Sequence, residues 1–182
     1  MGELLAEYNV LGAFWMTIKL TVLSALGALV VGTVIAVMRV SPVRVLRAAG
    51  TAYVTLLRNT PLTLIVFFCA FGFYITLQYR IGAQDSPIDV QNFRWGVLGL
   101  ALYHAAFVAE ALRSGINTVP KGQSEAARAI GLDFRASLTT IVLPQAFRGA
   151  IAPLGNVMIA LTKNTTVVAT ICLLYTSPTP RD

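Results

Sequence analysis

Side chains that could do chemistry are sparse in this sequence, and they sit at a few places between apolar runs. Glu110 and His104 are a conceivable acid/base pair for an intramembrane hydrolase. Their spacing does not set them squarely on one helical face, and no nucleophile or metal set accompanies them. Glu110 and Arg113 are spaced to meet on one helical face, as a structural ion pair at the membrane boundary, with a proton relay as the alternative. His104 has no second metal ligand nearby in sequence, which points to a packed or hydrogen-bonded imidazole. Lys163 is an ammonium within an apolar segment; it must face a cavity, a partner or an interface, where it attracts a carboxylate, supports a bend or snorkels. Cys69 and Cys172 both lie in apolar stretches, so neither a disulfide framework nor a zinc site is indicated. No Gly-rich turn ending in Lys-Ser/Thr is present to cradle a nucleotide phosphate. These residues predict no catalytic centre, no metal and no cofactor on this chain.

The stretch from Gly122 to Pro144 has a different character. Ser124 and Glu125 suit a helix start, where the macrodipole favours a carboxylate, and Gly131 suits the left-handed residue that ends a short helix. Ala126, Ala127 and Ala129 give that helix a low profile, while Ile130 and Leu132 offer apolar anchors for a groove on another protein. Pro144 limits how far a following helix runs backwards. An ordinary surface helix followed by a Pro-started helix is the plain alternative. Asn59-Thr60-Pro61 reads as another helix start, with a cap and a preset dihedral.

The elements that position these residues follow from composition. The 182 residues are 56% hydrophobic and 12% charged, with a mean hydropathy of +0.71. Too few polar side chains remain to cover a soluble domain, so the solvent is a lipid bilayer. The formal charge of +6 falls between apolar runs, where it sets topology; nucleic acid is disfavoured as a partner. Met1 to Tyr8 carries Glu3 and Glu7 and lacks the basic region of a cleaved signal peptide.

An uncharged run from Leu20 to Met38, bounded by Lys19 and Arg39, predicts a first span beginning near Phe14, with Gly27, Ala28 and Gly32 permitting close helix contact. After a break at Ser41-Pro42, Val43 to Arg58 predicts an interfacial helix, and Asn59-Thr60-Pro61 opens a second span running to Tyr79. Ile81 to Phe93 is an exposed loop. A third span begins at an interfacial Trp95 and extends through Leu112, and a fourth runs from Arg148 to Ser177, giving an all-α polytopic membrane protein of about four spans. Arg39, Arg44, Arg47, Arg58, Arg113, Lys121, Arg128, Arg135 and Arg148 fall on one side, against Arg80 and Arg94 on the other. The positive-inside bias puts the N-terminus outside and the Glu125 loop in the cytoplasm.

Glu125-Ala126-Ala127, Gly131, and Ile141 with Leu143-Pro144 stand at the spacing of the signature loop of permease subunits of ATP-binding-cassette importers, and the chain resembles that family. Further stretches are similar to the branch serving histidine, glutamine, glutamate and arginine: Arg58 to Leu62, Ala109 to Ile116, Leu143 to Ala146, Pro153 to Asn156 and Leu161 to Thr166. Within it, Arg58 to Ala70 and Gly155 to Thr166 are most similar to actinobacterial glutamate permeases. The resemblance implies a type I importer transmembrane domain over residues 1–171 in a bacterial plasma membrane, with a cytoplasmic coupling loop over about 114–147. Glu125, Ala126, Ala127 and Gly131 would then contact a cytoplasmic ATP-binding subunit, with ATP hydrolysed there. The other implied partners are an extracytoplasmic solute-binding protein, a second permease subunit, identical or different, and lipid. Asn59, Thr60, Pro61, Lys163, Asn164 and Thr165 are implied in the translocation path or its gate.

The sequence departs from the family after about Ile171. Pro178 and Pro180 cannot continue a helix, and residues 172–182 resemble a translated sequencing adapter, so the expectation is a non-native or truncated tail with a final span missing. Rival readings from other classes are a small membrane-embedded enzyme and a purely structural membrane scaffold.

Overall fold

A computed structural model describes residues 10–83 and 85–176, with side chains described over 11–83 and 85–169. The expectations for Met1 to Tyr8 and for the breaks at Pro178 and Pro180 lie outside the described residues, as do the side chains of 170–176. Every regular element among the described residues is helical. Helix α1 spans Val10–Val40, α2 Arg44–Arg58 and α3 Leu62–Phe67, the last continuing as a π-helix over Phe68–Thr76. Helix α4 covers Ile88–Asn117, α5 Lys121–Ala129 and α6 Phe134–Ser137; a π-helical turn over Leu138–Val142 then leads into α7, Leu143–Thr176.

The first and third expected spans are the long helices α1 and α4, the two among the described residues that are long and apolar enough to cross a membrane. The fourth expected span coincides with α7, a continuous helix despite Pro153. Among the described residues, however, α7 does not reach the apolarity of a span, so two such helices, or three with the bent pair, stand where about four were expected. The second is shorter than its apolar run. Leu62 to Thr76 is bent by 101° from α2, and at α-helical rise it reaches only roughly 22 Å, below the ~30 Å hydrocarbon core. Expected as an interfacial anchor, Trp95 is instead buried, its ring stacked 5.6 Å from Phe73.

Small residues let α4 run between α1 and α7. A Cβ added to Gly27 would lie 3.0 Å from Ala101 Cβ, and one added to Gly32 would lie 2.6 Å from Val108, so α1 meets α4 almost backbone to backbone. The small-residue spacing is used as the sequence predicts. Near the loop end, a Cβ on Gly115 would collide with the Ala146 carbonyl and lie 2.7 Å from Ala150 Cβ, and one on Gly149 would collide with Thr118. Between these tight crossings lie apolar clusters, one of Leu20, Leu62, Val66, Leu100 and Val168, another of Ala28, Val108 and Leu161. Burying apolar area does not drive helices together in lipid, so this close contact and a few interhelical hydrogen bonds hold the bundle. Tyr53 donates to the Leu102 carbonyl at 2.7 Å, tying α2 to α4. At the opposite end, Gln91 exchanges hydrogen bonds with Ile81 N and O, and Arg94 donates to Ser86 Oγ at 3.0 Å, closing the loop before α4.

Candidate functional site: a capped loop helix, an arginine cluster and a polar cavity

The loop helix α5 starts three residues earlier than its polar residues suggest. Pro120, at φ −59° and ψ 135°, is its N-cap residue, and the Ser124 hydroxyl donates back to Lys121 O at 2.9 Å. Ser124 and Glu125 therefore sit within the helix. Its end follows the sequence: Gly131 has φ +85°, its N–H donates to Arg128 O at 3.0 Å, and the Leu132 N–H donates to Ala127 O at 3.0 Å. This pair of bonds is a Schellman cap, which satisfies carbonyls that a helix end otherwise leaves open. Asp133 then caps α6 by accepting from Ala136 N at 2.8 Å.

The cap turns the apolar residues outward. Ile130 and Phe134 are each 77% exposed, while Ala127 is buried and Leu132 half-buried. Thus Glu125, Ala126 and Ala129 form the open face, and Ala127 is buried against the loop. Sequence spacing alone does not show on which side of the cap Phe134 leaves, so its exposure is visible only in the fold. Beside it lies a groove of about 190 Å³ lined by Ser124, Arg128, Phe134, Ser137, Leu138 and Val142. Pro144 does not stop the helical path. The π-turn over Leu138–Val142 carries it past the missing N–H and the crowded carbonyl four residues back.

Glu110 has more partners than the expected one. Its carboxylate is bonded by Arg39 from α1, approached by Arg58 Nη1 at 3.4 Å from the end of α2, and by Arg113 Nε at 3.7 Å from its own helix. Arg39 is the most buried of these, and the carboxylate is 29% exposed. One carboxylate thus clasps three guanidinium groups from three helices. Arg58 also lies over the Phe107 ring, 5.7 Å from its centroid.

Phe107 lines a cavity of about 370 Å³ between α4 and α7, with Tyr103, His104, Asn156, Val157, Ala160 and Asn164. Within it, His104 Nδ1 lies 3.0 Å from the Leu100 carbonyl and Nε2 lies 3.2 Å from Asn164 Nδ2. The carbonyl can only accept, so these partners assign a proton to Nδ1 and leave Nε2 accepting from the Asn164 amide. Asn156, Ala160 and Asn164 recur every fourth residue along α7, a sequence signal that could have exposed this wall.

Of the expected path residues, only Asn164 lines this cavity. Lys163 is exposed, and Thr165 is buried and donates to Thr162 O at 2.6 Å. Asn59, Thr60 and Pro61 make the bend between α2 and α3. Asn59 closes α2, the Thr60 hydroxyl donates to Leu56 O at 2.8 Å, and Pro61 precedes α3 with no side-chain cap. The expected Asn/Thr cap is therefore replaced by a C-terminal closure of the preceding helix. His104 and Glu110 are held by separate partners, which leaves the acid/base pair of the hydrolase reading without a shared site.

Residues 8–181 match the family of binding-protein-dependent transport system inner membrane components. The chain is 55% identical over 165 residues to the glutamate transport system permease protein GluC of Corynebacterium glutamicum, covering 90% of this chain and 72% of that protein. It is 39% identical to the probable glutamine ABC transporter permease protein GlnM of Bacillus subtilis, over 89% of this chain and 72% of that one. Among solved structures, the crystal structure of an amino acid ABC transporter with histidines superposes with a TM-score of 0.79 at 30% identity, covering 92% of this chain and 74% of that chain.

Proposed function

The chain belongs to the family of binding-protein-dependent transport system inner membrane components, and from that premise we propose that it moves glutamate inward as the permease subunit of an ATP-driven importer. It does no covalent chemistry. ATP is hydrolysed on a separate cytoplasmic subunit, a solute-binding protein delivers substrate from outside, and a second permease subunit completes the pathway. The observation that carries the coupling role is the capped α5 helix, which presents Ile130 and Phe134 to solvent beside an open groove. Large apolar side chains held outward on a fixed turn are suited to a cleft on a partner. Glu125, Ala126 and Gly131 form the contact, with Ala127 as its inner support. The meeting of Arg39, Arg58 and Arg113 around Glu110 supports placing the basic loops on one side, the cytoplasmic one.

Alternating access follows from rigid-body motion. Closure of the ATPase displaces α5 and the capped turn after it, and the helical path from α6 through the π-turn into α7 carries that displacement to the cavity walls. There, Asn156 and Asn164 offer amide groups to a polar amino acid, His104 holds the Asn164 amide in place, and Asn59 to Pro61 at the α2/α3 bend form the gate-side hinge. The transmembrane domain is read over residues 1–171 and residues 172–182 as a non-native tail, although the family match itself extends to residue 181.

Replacing Gly131 by Trp tests the coupling role. Its added Cβ meets nothing within 4 Å, so the bundle is left intact, but the positive φ strains any other residue by ~1 kcal/mol or more and the indole blocks the docking face. Reconstituted with its ATPase and binding protein, the Gly131→Trp variant is expected to insert normally and to lose glutamate uptake. Normal uptake would overturn the docking assignment, and failure of the unmodified importer to take up any acidic amino acid would overturn the substrate.

A further inference from the structure

Helix α2 carries three separate faces. Gly50, Tyr53, Val54 and Leu57 face the bundle, where Val54 is buried among Ile35, Ala36, Ala106 and Ala109. A second stripe, Val45, Ala49, Ala52 and Leu56, recurs at helical spacing and is exposed, Val45 by 76% and Leu56 by 66%. Between these two, Arg44, Arg47, Thr51 and Thr55 line an open groove of about 710 Å³ with Ala48 and Ala52.

The hydroxyls in that groove behave unlike most others on the helices. Thr17, Thr21, Thr33, Thr60, Thr139 and Thr162 each donate to a carbonyl four residues back. Among the described residues, Thr51 and Thr55 make no such bond, and neither Arg44 nor Arg47 is in an ion pair. Two guanidinium groups and two uncommitted hydroxyls are therefore presented together, next to a bare apolar stripe. Paired cations and hydroxyl donors suit phosphate oxygens. A free phosphate has no use for the Val45–Leu56 stripe, whereas a phospholipid meets both faces at once, headgroup on one and acyl chain on the other.

We propose that the Arg44–Arg47–Thr51–Thr55 face of α2 is a binding site for an anionic phospholipid headgroup. The groove lies on the same helix whose far end brings Arg58 to Glu110, so an occupied site braces α2 against the bundle at the boundary where the chain bends by 101° into α3. The lipid is recognised by charge and by the adjacent apolar stripe, and zwitterionic lipid is discriminated against because its choline repels the arginines.

The test is lipid retention by the full chain, purified from membranes and analysed by native mass spectrometry in micelles containing phosphatidylglycerol or phosphatidylcholine. Phosphatidylglycerol is expected to remain bound preferentially. The Arg44→Gln/Arg47→Gln variant should lower its apparent affinity roughly thirtyfold, Thr51→Ala/Thr55→Ala roughly threefold, and Arg135→Gln, on the exposed α6, should leave it unchanged. Equal retention by the arginine variant, equal retention of phosphatidylcholine, or displacement by millimolar inorganic phosphate would each overturn the proposal. So would a variant that keeps its lipid but loses the ATPase subunit or the second permease copy, which would assign the face to a protein. The hydroxyl variant removes no charge and only small, exposed groups, and it decides the matter if the arginine variant does not accumulate.

Discussion

The helix bundle and the loop helix are organised by opposite means. In the bundle, α4 is enclosed by small residues set so closely that an added methyl at Gly32 or Gly115 overlaps its neighbours. Around Gly131 in the loop, an added Cβ meets nothing, and shape is held by two cap hydrogen bonds and a positive φ. Bulk is forbidden in the first region and backbone conformation is fixed in the second. The proposed coupling role draws on both: a tightly interlocked bundle, and a loop element whose form does not depend on that bundle.

The sharpest way to break this contrast is Gly115→Leu. The side chain would have to displace the Ala146 carbonyl and Ala150, so a loss of ~3 kcal/mol or more is expected, read as failure to accumulate in the membrane or as early unfolding in detergent. Wild-type stability in that variant would show that the α4/α7 crossing is looser than described. Glu110→Gln comes next. It leaves Arg39, Arg58 and Arg113 facing one another, at a cost of about 2 kcal/mol once partial exposure of the carboxylate is allowed for. Thermal unfolding should show it, with Arg39→Gln costing less because two cations still share the acid. The smallest effect on stability belongs to Ile130→Ala with Phe134→Ala, whose exposed side chains contribute within ~0.5 kcal/mol to the fold. That variant should nonetheless bring down about tenfold less ATPase subunit on co-purification. Loss of stability and of partner in equal measure would erase the distinction between the two regions.

Much of this was legible in the chain itself. Apolar runs between charges mark α1 and α4 because a bilayer demands length and apolarity, and Gly131 marks the end of α5 because few other residues adopt positive φ. What escaped depends on packing across the sequence. Trp95 reads as an interface residue until Phe73 stacks on it, and Glu110 reads as the partner of nearby Arg113 until α1 delivers Arg39. The start of α5 differs because a Ser-Glu pair reads as a cap, while Pro120 sets the entry dihedral before it. The cavity is shared by α4 and α7, so no single stretch displays it; only the fourfold recurrence of Asn156, Ala160 and Asn164 hints at one wall.

The contact of Gly115 and Gly149 with the facing helix has a mechanical meaning. Two helices touching backbone to backbone cannot approach further there, so relative tilting of α4 and α7 takes this crossing as its pivot. From Gly149 to Asn164 the arm is roughly 22 Å at helical rise, comparable to the hydrocarbon half of the path and more. A tilt of a few degrees at the pivot then corresponds to a displacement of an ångström or more at the cavity wall, where Asn164 meets His104.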